Sequence, residues 1–176
     1  MRRFTVIAST LSLVATLAAA QSESKNEVGT LVGVTILSVS GTSVTHVGIP
    51  GDGIQASPTL YISIFATPSL FIEPQLALTS ISSSGSHITS FAFAGQLGYL
   101  FTPKASGSGY VAANVAYQTL SDGTSINGEG LGGAVGYRIK VKNSLAIRFD
   151  ARYRRWFSDF KDLNEFGIGL GLGARF

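Results

Sequence analysis

Apolar and polar residues alternate one for one along most of this chain, in segments separated by clusters of Gly, Ser, Asn, Asp and Pro. A period of two marks strands with two unlike faces, and eight segments carry it. In residues 28–38, Val28, Val32, Val34 and Ile36 share one face and Gly29, Gly33 and Thr35 the other, with Leu31 and Leu37 blurring the pattern. Residues 59–67 set Leu60, Ile62, Ile64 and Ala66 against Tyr61, Ser63 and Phe65. Residues 70–80 set Leu70, Ile72, Leu76 and Leu78 against Phe71, Glu73 and Gln75. The clearest segment is 89–101, where Phe91, Phe93, Leu97, Tyr99 and Phe101 oppose Ser90, Ala92, Ala94, Gln96 and Gly98. Residues 109–119 and 130–141 repeat the pattern, the second with Arg138 and Lys140 among its small residues. Residues 145–154 place Ile147, Phe149 and Tyr153 on one face and Arg148, Asp150, Arg152 and Arg154 on the other. The last segment, 166–176, sets Phe166, Ile168, Leu170, Leu172, Ala174 and Phe176 against Gly167, Gly169, Gly171, Gly173 and Arg175.

Connection lengths add topology. Short turns (ATPS, TPKASG, VKNS) follow the second, fourth and sixth segments, and longer polar stretches follow the first, third, fifth and seventh. Strict alternation of short and long connections is the form of an antiparallel up-and-down barrel in an outer membrane, with short periplasmic turns and longer outer loops. The expected fold is therefore all-β, an eight-stranded transmembrane β-barrel over residues 28–176.

Composition separates a membrane barrel from a soluble one. Only 13% of the 176 residues are charged, while 45% are hydrophobic and 21 are Gly; an ordinary soluble domain carries about 25% charge. Residues 74–103 contain no Asp, Glu, Lys or Arg, yet they are rich in Ser, Thr and Gly and hold no apolar run of about 20 residues, which excludes a helix bundle. The charged face is also the Gly- and Ala-rich one, suited to a narrow interior, whereas the Phe, Leu and Ile face suits hydrocarbon. Inverting the barrel would put Arg148, Arg152 and Arg154 in lipid at about 2–4 kcal/mol each near the midplane.

The first residues have a separate reading. MRRF, an apolar stretch and Ala18-Ala19-Ala20 form a Sec signal peptide over 1–20, followed by a short periplasmic segment, 21–27. Without Arg2 and Arg3 the formal charge of +3 falls to +1, which does not suggest a nucleic-acid binder. The chain has no Cys, so disulfides and thiolate sites are absent.

Candidate chemistry is sparse. Glu73, Arg138, Arg148 and Arg175 fall toward the periplasmic end of the lumen, and Asp150, Arg152 and Arg154 progressively farther out. A polar network plugging the lumen is expected, with five arginines against two carboxylates leaving excess positive charge for waters or an anion. Gly128-Glu129-Gly130-Leu131-Gly132-Gly133 matches G-x-G-x-x-G, and Gly169–Ala174 its G-x-G-x-x-A variant, but neither lies between a strand and a helix, so no nucleotide site is expected. His46 and His87, near outer-loop Ser and Asp residues, are candidates for catalysis weighed against solvated loop histidines, and they are too far apart for a metal site. No cofactor is expected, and the chain is read as not an enzyme. Tyr99, Phe101, Tyr137, Tyr153 and Phe157 lie where aromatic girdles mark membrane interfaces.

With these features together, the chain resembles the small outer-membrane β-barrel families: the transmembrane domain of outer-membrane protein A, the opacity-type porin-like proteins and the X-type barrels. The most specific element is the last strand, where Ile168, Leu170, Leu172 and Phe176 are similar to the signal read by the barrel-assembly machinery. The resemblance implies a monomer in the outer membrane. Its implied partners are outer-membrane lipids and lipopolysaccharide, the assembly machinery and periplasmic chaperones, and a surface ligand on the outer loops. It implies a structural or surface-interaction role; a narrow channel and a lipid-modifying enzyme are the competing readings. No peptidoglycan-binding domain follows the barrel, so a cell-wall tether is not expected. Deleting Phe176 should impair assembly, read as loss of the mobility difference between unboiled and boiled samples on a detergent gel; normal assembly would count against the assignment of this signal.

Overall fold

Strand pairing converts this alternation into a closed wall. The computed structural model describes residues 26–39, 42–48, 59–83, 86–103, 106–142 and 144–176; the expected signal peptide and residues 21–25 lie outside them. The strands are β1 (Glu27–Val39), β2 (Thr42–Gly48), β3 (Thr59–Phe65), β4 (Leu70–Ser83), β5 (Ser86–Phe101), β6 (Gly107–Asp122), β7 (Thr124–Lys142), β8 (Leu145–Trp156) and β9 (Leu163–Arg175). A 3-10 turn at Ser158–Phe160 links the last two. Every pairing is antiparallel, and β1 closes on β9 along its whole length, from Glu27 opposite Arg175 to Val39 opposite Leu163. β2 lies beside the outer part of β1 and β3 beside its inner part, so the nine strands form the eight staves of an up-and-down barrel.

Three outer segments expected as loops continue the wall instead. Residues 42–48 pair with β1, β4 and β5 extend to Ser83 and Ser86, and β6 meets β7 at a tight turn where Gly123 takes φ +72°. Their Ser, Thr and Asn content reads as loop, but interspersed Ile and Thr are good strand formers, and Ile81 pairs with Ile88 and Leu120 with Ile126 in register. Within β4, the ladder to β3 breaks between Tyr61–Gln75 and Ile64–Ile72, around Pro74, which has no N–H to donate.

The apolar parity faces outward. Leu97 is 53% exposed and Ile168 59%, whereas Glu73 and Arg148, on the opposite parity of their strands, are at 0%. A continuous belt of this kind is stable only against hydrocarbon. No described helix is long and apolar enough to cross a membrane; the strands do the crossing.

Two apolar clusters occupy the lumen, Phe65, Phe71, Leu100 and Tyr110 near the periplasmic turns and Trp156, Phe160 and Leu163 near the outer rim. They need bare wall opposite them. A Cβ on Gly98 would stand 2.1 Å from the Phe71 ring, while one on Gly95, of outward parity, meets nothing nearer than 3.7 Å. Gly98→Ala should therefore lower unfolding stability by about 1–3 kcal/mol, measured by urea unfolding in detergent, and Gly95→Ala should leave it nearly unchanged.

Candidate functional site

The lumen is the only place in a membrane barrel where charged side chains can satisfy one another away from water, so its contents decide what the barrel can pass. Glu73 projects inward from β4 and Arg148 from β8, on opposite staves. Arg148 Nη1 donates to both Glu73 oxygens at 2.6 and 2.7 Å. Arg138 Nη2, from β7, donates to Glu73 Oε2 at 2.6 Å. Ser63 Oγ donates to the same oxygen at 2.5 Å and Gln75 Nε2 to Oε1 at 2.8 Å.

Asp150 continues this layer, with its Oδ2 accepting from Arg148 Nη2 at 2.7 Å and from the Tyr110 hydroxyl at 3.1 Å. On the other side Arg138 Nη1 lies 3.5 Å from Glu27 Oε2, whose partner oxygen accepts from the Tyr61 hydroxyl at 2.6 Å. The guanidinium carbons of Arg138 and Arg148 stand 4.6 Å from the Phe71 ring centre and 5.1 Å from that of Tyr61, which adds cation–π attraction where water is excluded.

Farther out, a second layer centres on Glu165. Arg154 Nη1 and Arg152 Nε each lie 3.2 Å from one of its oxygens, and the Trp156 indole N–H donates to it at 3.0 Å. Arg154 Nε donates to Asn114 Oδ1 at 2.8 Å, and its guanidinium faces the Trp156 ring at 5.3 Å.

The structure thus divides the sequence-identified residues: Glu73, Arg138, Arg148 and Asp150 meet in one cluster and Arg152 and Arg154 in another. Arg175 joins neither; it is half-buried at the inner end of β9. The expected surplus of positive charge across the lumen shrinks to Arg175 and does not extend to the two clusters. Glu27 and Glu165 are additional inward carboxylates, and with Glu73 and Asp150 they match Arg138, Arg148, Arg152 and Arg154 one for one. Both strands simply start earlier than the alternation suggested, β1 at Glu27 and β9 at Leu163. Continuing each parity by one step, from Gly29 to Glu27 and from Gly167 to Glu165, would have found them.

The glycines of the nucleotide-like motifs serve packing. They lie within β7 and β9, and Cβ atoms on Gly128 and Gly130 would collide with Phe160 at 2.1 Å and Arg154 at 2.5 Å. His46 and His87 sit at β-ladder positions opposite Thr35 and Ser82. Among the described residues no group of His, Cys, Asp and Glu could hold a metal ion. Exposed Ile168, Leu170, Leu172 and Phe176 lie on the outward parity of the last strand.

A family model described as "Outer membrane protein beta-barrel domain" matches residues 6–176. Among solved structures, Neisserial surface protein A (NspA) is similar at 15% identity, covering 86% of this chain and 97% of that one with a TM-score of 0.65. Ail, the attachment invasion locus protein of Yersinia pestis, is 14% identical over 87% of this chain and 100% of its own, with a TM-score of 0.51. The outer membrane protein OprG from Pseudomonas aeruginosa is 11% identical over 87% and 96%, with a TM-score of 0.56. At these identities the likeness is one of fold. A search of curated protein sequences finds no match.

Removing one member of a buried ion cluster leaves its partners charged and unpaired. Glu73→Gln should lower unfolding stability by about 3–5 kcal/mol, whereas Glu129→Gln, at an exposed position, should change it by less than about 0.5 kcal/mol. Urea titration of both detergent-folded variants checks the contrast.

Proposed function

Because the chain belongs to the family of outer-membrane protein β-barrel domains, we propose that it is a non-enzymatic scaffold whose outer hairpins carry a surface interaction. Its place is the outer membrane of a Gram-negative cell envelope. The observation supporting this role is the occupied lumen: two ion-paired layers lie between apolar clusters at either end. Such a filling disfavours conduction and leaves the hairpins beyond the membrane as the surface free to recognise something.

That surface has a definite charge. Among the described residues Asp122, Glu129, Asp159 and Asp162 outnumber Arg155 and Lys161 at the outer end. Ail has been solved with the heparin analogue sucrose octasulfate; here the acidic excess favours a neutral or basic partner over a polyanion. Export by Sec, contact with lipopolysaccharide, a monomeric state and reading of Ile168, Leu170, Leu172 and Phe176 by the assembly machinery belong to the same proposal.

The competing reading is a narrow channel, favoured by a cavity of about 20 Å³ within the outer half of the lumen. Two measurements separate the readings. Purified protein in planar bilayers should give no reproducible single-channel steps. Vesicles carrying it should bind polycationic or neutral surfaces in preference to heparin, and shortening the hairpin at residues 120–126 should weaken that binding at least tenfold. Regular conductance steps, with binding unaffected by the shortened hairpin, would overturn the scaffold reading.

A further inference from the structure

The two ion-paired layers are neutral together but not one by one. The inner layer sets Glu27, Glu73 and Asp150 against Arg138 and Arg148, and neutral donors from Tyr61, Ser63, Gln75 and Tyr110 meet its surplus negative charge. In the outer layer two guanidiniums share the single carboxylate of Glu165. Arg154 has a further acceptor in Asn114 Oδ1. Arg152 has only the one contact through Nε, which is buried and makes no well-directed hydrogen bond. Its side chain is 16% exposed.

Beside this under-neutralised arginine lies the cavity of about 20 Å³, walled by Arg152, Arg154, Gln75, Ala77, Ala94 and Ala116, with no acidic residue in its lining. The space suits one particle of about the size of a water molecule. On the same inward face of β6 as Ala116, Asn114 Nδ2 is a buried donor without an acceptor. A water could accept hydrogen bonds here but would leave the charge uncompensated inside a wall bounded by hydrocarbon, where an unpaired ion is costly.

From this cavity and its donors, we infer that the outer half of the lumen is a binding site for one small monovalent anion of the halide class, held chiefly by Arg152 and seconded by Arg154. The site is distinct from the surface interaction and stands whether or not the hairpins bind a partner.

The chain supplies its own reporter. Trp156 is the sole tryptophan, is buried at 1% exposure, and faces the Arg154 guanidinium at 5.3 Å. Detergent-folded protein in gluconate buffer of constant ionic strength should show a saturable component of iodide quenching that chloride competes away. Caesium, a cationic quencher, should give no saturable component. Arg152→Gln should remove that component and Arg152→Lys should retain part of it. Strictly linear iodide quenching of the native protein, or quenching that chloride does not relieve, overturns the site. Should Arg152→Gln fail to fold, crystals of the native protein soaked in bromide decide the matter. An anomalous peak in contact with the Arg152 guanidinium supports the inference, and an ordered water without anomalous signal there contradicts it.

Discussion

Two guanidinium groups, from Arg138 on β7 and Arg148 on β8, converge on a Glu73 carboxylate that no solvent reaches. Stripping these ions of water costs several kcal/mol each, and only close, multiply hydrogen-bonded geometry offsets it. Glu73 meets that demand by accepting from Ser63 and Gln75 besides the two arginines. Because a membrane barrel must turn its apolar residues outward, inward polar groups have only one another, so the remainder of the lumen follows from this pair. Tyr110 and Tyr61 extend the network to Asp150 and Glu27, and bare glycines leave room for the rings, as Gly98 does for Phe71.

On the proposed reading, a barrel filled in this way serves as a support rather than an open conduit. The inner apolar cluster and the ion layer on Glu73 fill the periplasmic half, and Trp156, Phe160 and Leu163 close the outer end above Glu165. In the outer layer a small cavity remains where Ala77, Ala94 and Ala116 stand opposite Arg152. Beyond the rim the wall continues as hairpins, β6 and β7 reaching Asp122 and Thr124 in unbroken register. On the proposed reading, variation there would alter recognition without disturbing the lumen, the usual division between a rigid frame and functional loops.

The period-two alternation makes the faces legible, since parity alone assigns Leu97 to lipid and Gln96 to the lumen, as their 53% and 3% exposures agree. Stave order then sets Glu73 opposite residues 148–154, because a closed eight-stave ring fixes which positions face across it. What escaped sequence reading has local causes. Glu27 and Glu165 sit one step beyond the apparent ends of their segments, where a charged residue looks like the start of a loop. β2 is hidden because its Thr, Ser and Gly content matches that of a turn and only pairing with β1 makes it a strand. Which arginine reaches which carboxylate depends on side-chain length and ring packing across the lumen, and no one-dimensional pattern carries that.

Pairwise coupling across the lumen is the quantity on which this picture rests. A double-mutant cycle on Glu73→Gln and Arg148→Met, followed by urea unfolding in one detergent or lipid system, isolates it. If the pair organises the interior, the double variant should be less destabilised than the sum of the single variants by about 2–3 kcal/mol. Additivity within about 0.5 kcal/mol would contradict it, and would mean that the two side chains line a wet lumen independently.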